Sequence, residues 1–261
     1  MNSLVIFGLL AVLMLTGMPI SISLGLTVLT FLFTMTQVPL ESVALKLFTG
    51  IEKFEIMAIP FFILAGNFLT HGGVAKRMIN FATSMVGHWY GGLGLAGVLA
   101  CALFAAVSGS SPATVVAIGS ILLPAMVKAG FPNKFGAGVI ATSGALGILI
   151  PPSIVMVMYS VATNTSVGAL FMAGVMPGIA LALTLGGVTW YRAKKFNYPR
   201  QPKATWGERW QAFRKSVWGL LLIVVVMGGI YTGIFTPTEA AAMSAVYAFI
   251  CAVFIYKDLG F

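Results

Sequence analysis

Charge is what this sequence has least of. Asp, Glu, Lys and Arg make up 8% of 261 residues, and only six of them are acidic, where a soluble chain carries roughly 25% to face water. Fifteen cations and six anions cannot cover a soluble body of this mass, which excludes soluble-enzyme readings. Cysteine is nearly absent. Cys101 and Cys251 both sit inside apolar runs, so neither a disulfide framework nor a structural zinc site is available. The two histidines, His71 and His88, flank apolar runs rather than occupy them, and no His-Glu-x-x-His run is present for a metalloprotease. The start, MNSLVIF, lacks the basic region and small-residue cleavage site of a signal peptide, so it is expected to stay as the first span.

What is there is apolar: 59% hydrophobic residues, with a mean hydropathy of +1.00. The fold class expected is an all-α integral membrane protein. The net charge of +9 would point to nucleic acid in a soluble chain. In a membrane chain it marks loops held on the cytoplasmic side.

A crossing helix needs roughly 20 apolar residues for a core about 30 Å thick. Residues 3–16 and 20–35 read as two spans joined by a tight turn at Gly17, Met18 and Pro19. Residues 41–55 mix Lys46 and Lys53 with three glutamates and read as a nearly neutral loop. A third span covers about 56–70. Lys76, Arg77, His88, Trp89 and Tyr90 then mark a membrane surface. Residues 93–107 and 114–127 are each too short to span comfortably and flank a serine-rich tip at 108–112. Basic residues precede and follow the pair, so it reads as a re-entrant hairpin. The apolar stretch 135–163 is interrupted by Pro151 and Pro152, which remove two N–H donors and must break the helix. Residues 167–191 return to a loop, 192–216, that holds eight of the 15 basic residues and is the strongest cytoplasmic marker. Within that loop Trp206, Trp210 and Phe213 recur at i, i+4 and i+7, the pattern of an interfacial amphipathic helix; a solvated linker is the alternative. Spans at 217–235 and 240–255 complete about seven crossings, with the N-terminus periplasmic and the C-terminus cytoplasmic. Three segments follow: 1–72, the N-terminal spans; 73–165, the amphipathic segment, hairpin and broken helix; and 166–261, spans with the basic loop.

No acid falls at mid-membrane, where a proton pump places its titrating group. Glu239 belongs to the run Thr236, Pro237, Thr238, Glu239, a helix-capping box that explains it without transport. What remains is neutral oxygen and freed backbone at two breaks. Ser108, Gly109, Ser110 and Ser111 are read as unwinding the hairpin tip, and Gly144, Gly147, Pro151, Pro152 and Ser153 as unwinding the next crossing. Non-helical backbone at that depth is tolerated only where it is buried or lines a wet cavity. Its carbonyls and hydroxyls suit a hard monovalent cation such as Na⁺, while half-helix N-termini favour anions. A glycine-serine packing interface with proline kinks is the alternative reading of the same residues.

The runs SGSSPATVVAIG at 108–119, GALGILIPPS at 144–153 and GIFTPTEAAA at 233–242 resemble the large membrane subunit, DctM type, of tripartite ATP-independent periplasmic (TRAP) transporters. The resemblance runs in order along the whole chain. It implies a sodium-coupled elevator transporter of the bacterial inner membrane, the first half of an inverted repeat, that imports organic anions such as C4-dicarboxylates or sialic acid. It implies as partners a small membrane subunit of the DctQ type and a periplasmic binding protein of the DctP type, with membrane lipid around them and no nucleic acid. Sodium ligands are expected at Ser108, Ser110, Ser111, Gly144, Gly147 and Pro151, and substrate contacts at Ser111, Thr114 and Ser153. No cofactor beyond the coupling ion is expected. The family's second, inverted half has no counterpart among these residues, so the chain is expected to be a partial polypeptide. Two other classes compete. A serine of the tip acting as an intramembrane nucleophile lacks a base within reach, since both histidines lie at interfaces. A non-transporting fragment or assembly scaffold is separated from a transporter by uptake with the partners present.

Overall fold

The computed structural model describes residues 2–36 and 39–259, and every regular element among them is helical. The chain divides into two compact units between Lys53 and Phe54. In the first, α1 (Asn2–Leu15) and α2 (Ile20–Met35) pack as a hairpin. The turn between them uses Gly17 at φ +80°, open to glycine at no steric cost. The threonines of α2 satisfy themselves: Thr27, Thr30 and Thr34 donate to the carbonyls of Ser23, Leu26 and Thr30 at 2.7 Å.

Residues 40–51 are not the loop expected from their charges but a helix, α3 (Leu40–Ile51). Leu40, Val43, Ala44, Leu47, Phe48 and Ile51 recur at helical spacing, and Glu41 lies in the first turn, where a negative charge favours the helix. The mixed charges belong to the polar side of an amphipathic helix.

The second unit carries the breaks. A single 3₁₀ turn (Phe54–Met57) leads into α4 (Ala58–His71), which packs along α13 (Pro237–Ile250). Helix α5 (Val74–Val86) buries Val74, Ala75, Met78, Ile79 and Ala82 on one face, and it packs on α6 (Gly92–Ser108) and α12 (Trp206–Tyr231). After α6 come α7 (Ser111–Lys128), α8 (Asn133–Gly144), the single turn α9 (Leu146–Leu149) and α10 (Ile154–Thr163). The 29-residue α11 (Val167–Lys195) follows. Among the described residues five segments are long and apolar enough to cross a membrane: 54–71, 111–128, 167–195, 206–231 and 237–255. The pair 133–149 and 154–163, bent by 42°, makes a sixth if counted as one span. Helices α1, α2 and α6 are apolar but shorter.

The separate interfacial helix expected at Trp206 to Phe213 is not there. It forms the first turns of the continuous 26-residue α12. Thr205 and Glu208 cap it with a reciprocal box, the Thr205 N–H donating to Glu208 Oε2 at 2.7 Å. No proline or glycine interrupts the run from Glu208 to Val217, so nothing stops the helix before the span. Trp206 and Trp210 remain exposed, and Phe213 packs on Phe81 of α5.

One end of this unit gathers the cationic loops. Arg200 stacks on Tyr90 at 3.5 Å, and the Gln201 N–H donates to the Gly87 carbonyl. Tyr198 packs between Phe131 and Phe135. Arg77 pairs with Asp258 and lies 3.9 Å over the Tyr256 ring. Burial pushes the Tyr256 phenol up to about 12, so it stays protonated and donates to the Lys215 carbonyl at 2.9 Å. These contacts bring the start of α6 and the end of α7 to the same basic end.

Candidate functional site

At the opposite end of the α6–α7 hairpin only two residues are non-helical. Gly109 takes the left-handed conformation at φ +61°, and Ser110 is extended at φ −130°, ψ 121°. Ser110 is the N-cap of α7, its hydroxyl accepting from the Ala113 N–H at 3.5 Å, with Pro112 in the first turn. Ser153 caps α10 with nearly the same dihedrals, φ −130° and ψ 127°, but its hydroxyl makes no capping bond.

The two breaks are joined. The Ile154 N–H, the first of α10, donates to the Gly109 carbonyl at 3.0 Å. A Cβ on Gly109 would stand 2.8 Å from the Pro152 carbonyl oxygen, so only glycine fits there, both for its φ and for the approach. Gly147 approaches from the other side: a Cβ there would meet Ser111 N, Ser110 C and Ser111 Cα at 2.8, 2.9 and 3.0 Å. A Cβ on Gly144 would lie 2.1 Å from Val115 Cγ2 and 3.5 Å from the Ser111 carbonyl. This corrects the reading that Gly144 and Gly147 unwind the crossing. Both are helical, in α8 and α9, and they let backbone pack on backbone. The non-helical segment is confined to Ile150 through Ser153, because two successive prolines exclude their neighbours from the helical region.

The predicted residues therefore meet at one junction. Ser108 closes α6, fully buried, within 3.0 Å of the Thr114 hydroxyl. Thr114, equally buried, donates to the Ser110 carbonyl at 2.9 Å, which leaves the Ser108 proton for Thr114, while the Ser108 oxygen accepts from the Ser110 N–H at 3.5 Å. Ser111 opens α7 with its backbone against Gly147. Pro151 is buried in the non-helical segment. Ser153 is buried at 0% exposure, and its Oγ has no hydrogen-bond partner. A buried hydroxyl left unpaired costs about 1–3 kcal/mol, so such atoms call for a ligand or a functional reason.

Three features escaped sequence reasoning. Ser143, one residue before Gly144, is also buried with an unpartnered Oγ. Gly66 of α4 lies under the hairpin tip, its Cβ position 3.5 Å from Ser108 Cα and Cβ. Gly174 and Gly178 of α11 seat the break, a Cβ on Gly174 falling 2.6 Å from the Leu149 carbonyl and one on Gly178 falling 2.9 Å from Ile150 Cγ1. Their four-residue spacing is the small-xxx-small signal for close packing in membranes, and it is readable in the sequence.

Of the four acids in the second unit, Glu208 and Glu239 cap helices, Asp258 pairs with Arg77 and Glu55 lies in the 3₁₀ turn. Among the described residues no group of three His, Cys, Asp or Glu side chains gathers to hold a metal. The junction is an uncharged cage of hydroxyls, carbonyls and helix ends. It offers carbonyls from the end of α6 and from 149–152, and the N-termini of α7 and α10. That set suits a hard cation and an anion together, and offers no general base.

The family described as "Tripartite ATP-independent periplasmic transporter, DctM component" matches residues 7–261. The chain belongs to this family. The DctM family is a transporter component, not an enzyme family. The chain is 77% identical to the C4-dicarboxylate TRAP transporter large permease protein DctM of Rhodobacter capsulatus, over 99% of this chain and 62% of that protein. It is 54% identical to the protein of the same name from Vibrio cholerae serotype O1, over 98% of this chain and 56% of that protein. The isethionate TRAP transporter permease protein DctMQ of Oleidesulfovibrio alaskensis is 43% identical, over 98% of this chain and 40% of that protein. The chain thus spans from two fifths to about three fifths of these relatives' lengths.

Proposed function

We propose that this chain forms part of the large membrane subunit of a sodium-coupled TRAP transporter that imports C4-dicarboxylates or related organic acids. The carrying observation is the junction itself, where the Gly109 carbonyl accepts from Ile154 and the buried Ser153 hydroxyl stands without a partner. On this reading Na⁺ is cargo, held by the hydroxyls of Ser108, Ser110 and Ser111 with carbonyls around Gly144, Gly147 and Pro151. The unpartnered Ser143 and Ser153 oxygens supply what a neutral cation site requires. The anion sits beside it at the N-termini of α7 and α10, against Ser111 and Ser153, while Thr114 orients Ser108. Residues 73–165 act as the moving body of an elevator, since the bonded breaks oblige hairpin and broken helix to travel together. The cationic end faces the cytoplasm of a bacterial inner membrane. A small DctQ-type subunit and a periplasmic binding protein complete the system; the fused DctMQ name of the isethionate relative supports the first of these.

The test is sodium-driven uptake of labelled succinate into proteoliposomes holding the transporter that contains this chain, with its partners. Losing one hydroxyl ligand is worth about 1 kcal/mol, so Ser153→Ala or Ser143→Ala is expected to raise the half-saturating sodium concentration about fivefold. The same substitutions leave stability without sodium unchanged or higher, because an unpaired buried group is removed. Wild-type sodium dependence in these two and in Ser108→Ala, Ser110→Ala and Ser111→Ala would refute the site.

A further inference from the structure

A second feature of the same unit lies away from the junction. Helices α6 and α11 touch near the cationic end, where a Cβ on Gly91 would fall 2.3 Å from Ala193 Cβ and one on Gly94 would fall 3.0 Å from Thr189 Cγ2. Alongside this contact an apolar groove of about 420 Å³ runs between the helices, walled by Leu95, Leu99 and Ala102 on one side and Leu183, Gly186 and Gly187 on the other. It ends at Trp89 and Trp190, which also line an adjoining cavity of about 380 Å³ with His88, Tyr90 and Arg200.

The two cavities differ in chemistry in the way the two ends of a lipid do. The second holds Arg200 stacked on Tyr90, and Lys194 reaches over the Trp190 ring at 5.1 Å. Among the described residues neither cation is paired with a carboxylate, and no acid lines either cavity. Trp89 Nε1 donates to His88 Nε2 at 3.0 Å, which puts the proton of a neutral His88 on Nδ1, and that atom is buried without a partner. Two free cations and an unused N–H donor make an anion-binding head, flanked by tryptophans of the kind that favour the headgroup level. The groove below is lined almost wholly by carbon.

We propose that this groove holds an acyl chain of one anionic phospholipid, with its phosphate at Arg200, Lys194 and His88. No residue lining the groove belongs to the junction, and its α6 wall lies within the segment proposed to move while its α11 wall lies outside it.

The chain itself supplies the probe. Trp89 and Trp190 lie where the groove meets the head cavity, and brominated acyl chains quench tryptophan on contact. The purified transporter that contains this chain, in neutral detergent micelles, is titrated with dibrominated phosphatidylglycerol or dibrominated phosphatidylcholine. A saturable quench is expected, with phosphatidylglycerol favoured, and Arg200→Gln is expected to cut that preference about fivefold, the effect of one basic residue near an anionic headgroup. Trp89→Phe with Trp190→Phe should remove the saturable part while Trp206, Trp210 and Trp218 still report general lipid. Gly187 has nothing within 4 Å of its Cβ position, so Gly187→Leu fills the groove without disturbing the core and should abolish the saturable quench. Equal response to the two lipids, unchanged by Arg200→Gln, means unselective boundary lipid and overturns the proposal. So does a saturable quench that survives Gly187→Leu. A rise in particle mass that Gly187→Leu reverses, without any lipid dependence, assigns the groove to protein and overturns it equally.

Discussion

Gly147→Ala is the sharpest single perturbation of the junction. The added methyl would stand 2.8 Å from Ser111 N, 2.9 Å from Ser110 C and 3.0 Å from Ser111 Cα. Each is about 0.5–0.7 Å inside the closest comfortable carbon contact near 3.5 Å. All three neighbours are backbone atoms of the hairpin tip, so no side chain can swing aside. The tip must back away from α9, which also strains the 3.0 Å bond from Ile154 to Gly109. Overpacking of this kind costs about 1–3 kcal/mol. The matched control is Gly138→Ala in α8, where nothing lies within 4 Å of the Cβ position, and where alanine gains up to about 1 kcal/mol of helix propensity. The two variants change composition identically, so their difference of about 1–4 kcal/mol isolates the seat of the tip. Thermal unfolding of the purified chain followed by tryptophan fluorescence measures it, and sodium-driven uptake in the transporter that contains this chain should fall with Gly147→Ala alone. If the two alanines unfold alike and transport alike, the hairpin tip does not rest on Gly147 and the junction described above is wrong.

The other predictions probe the frame around that junction. Gly174→Ala puts a methyl 2.6 Å from the Leu149 carbonyl and 2.4 Å from Met156 Cε; since Met156 is flexible and the carbonyl is not, about 1–3 kcal/mol of destabilisation is expected in the same unfolding assay. Gly66→Ala, whose methyl meets Ser108 at an ordinary 3.5 Å, should be nearly neutral there, and a large loss would mean that α4 lies closer to the tip than described. Thr236→Ala removes the hydroxyl that caps α13, which accepts from the Glu239 N–H at 3.3 Å and donates to Glu239 Oε2 at 2.8 Å, and should cost about 1 kcal/mol with no change in sodium requirement; a shifted sodium requirement would move Glu239 into the transport machinery. Cysteines at the exposed positions Lys76 and Asn133 should label with an impermeant thiol reagent from one face only, the native Cys101 and Cys251 being buried. Labelling from opposite faces contradicts a hairpin whose two ends share the basic end.

Much of this was legible because backbone chemistry announces itself. Two prolines in succession break any helix, and Pro151 and Pro152 do. Thr236 with Glu239 forms the capping box its spacing promises. The two errors about helices have different causes, composition in one and a missing stop in the other. Residues 40–51 carry loop-like charge on a helical pattern, and the aromatic turn at Trp206 continues into its span for want of any residue to stop it. The misreading of Gly144 and Gly147 is different in kind. A glycine that unwinds and a glycine that admits a neighbour look the same in one sequence, and only the position of the Ser110 and Ser111 backbone separates them. Ser143 could not be singled out either. A serine inside a membrane helix ordinarily bonds its own turn, as Ser216 does with Ala212 and Phe213, and the failure to do so is a property of packing.

An uncharged junction has an energetic consequence for the proposed coupling. Were a carboxylate present, a bound Na⁺ would be neutralised at once, and the loaded ion could move without its substrate. Here hydroxyls, carbonyls and helix ends solvate the ion but leave its charge in place, and an uncompensated ion in a low-dielectric interior costs several kcal/mol even after relaxation. Among the described residues no charged side chain stands at the junction to relieve that cost, so the proposed anion at the N-termini of α7 and α10 relieves it, and the cation relieves the anion's in turn. Each ligand stabilises the other without a protein charge between them, which is the differential interaction that any coupling free energy requires. Because the Ile154 to Gly109 bond ties the two half-helix starts together, neither ligand can be carried by one break while the other stays behind. That no acid among the described residues stands at the junction is, on this reading, what makes sodium and substrate dependent on each other.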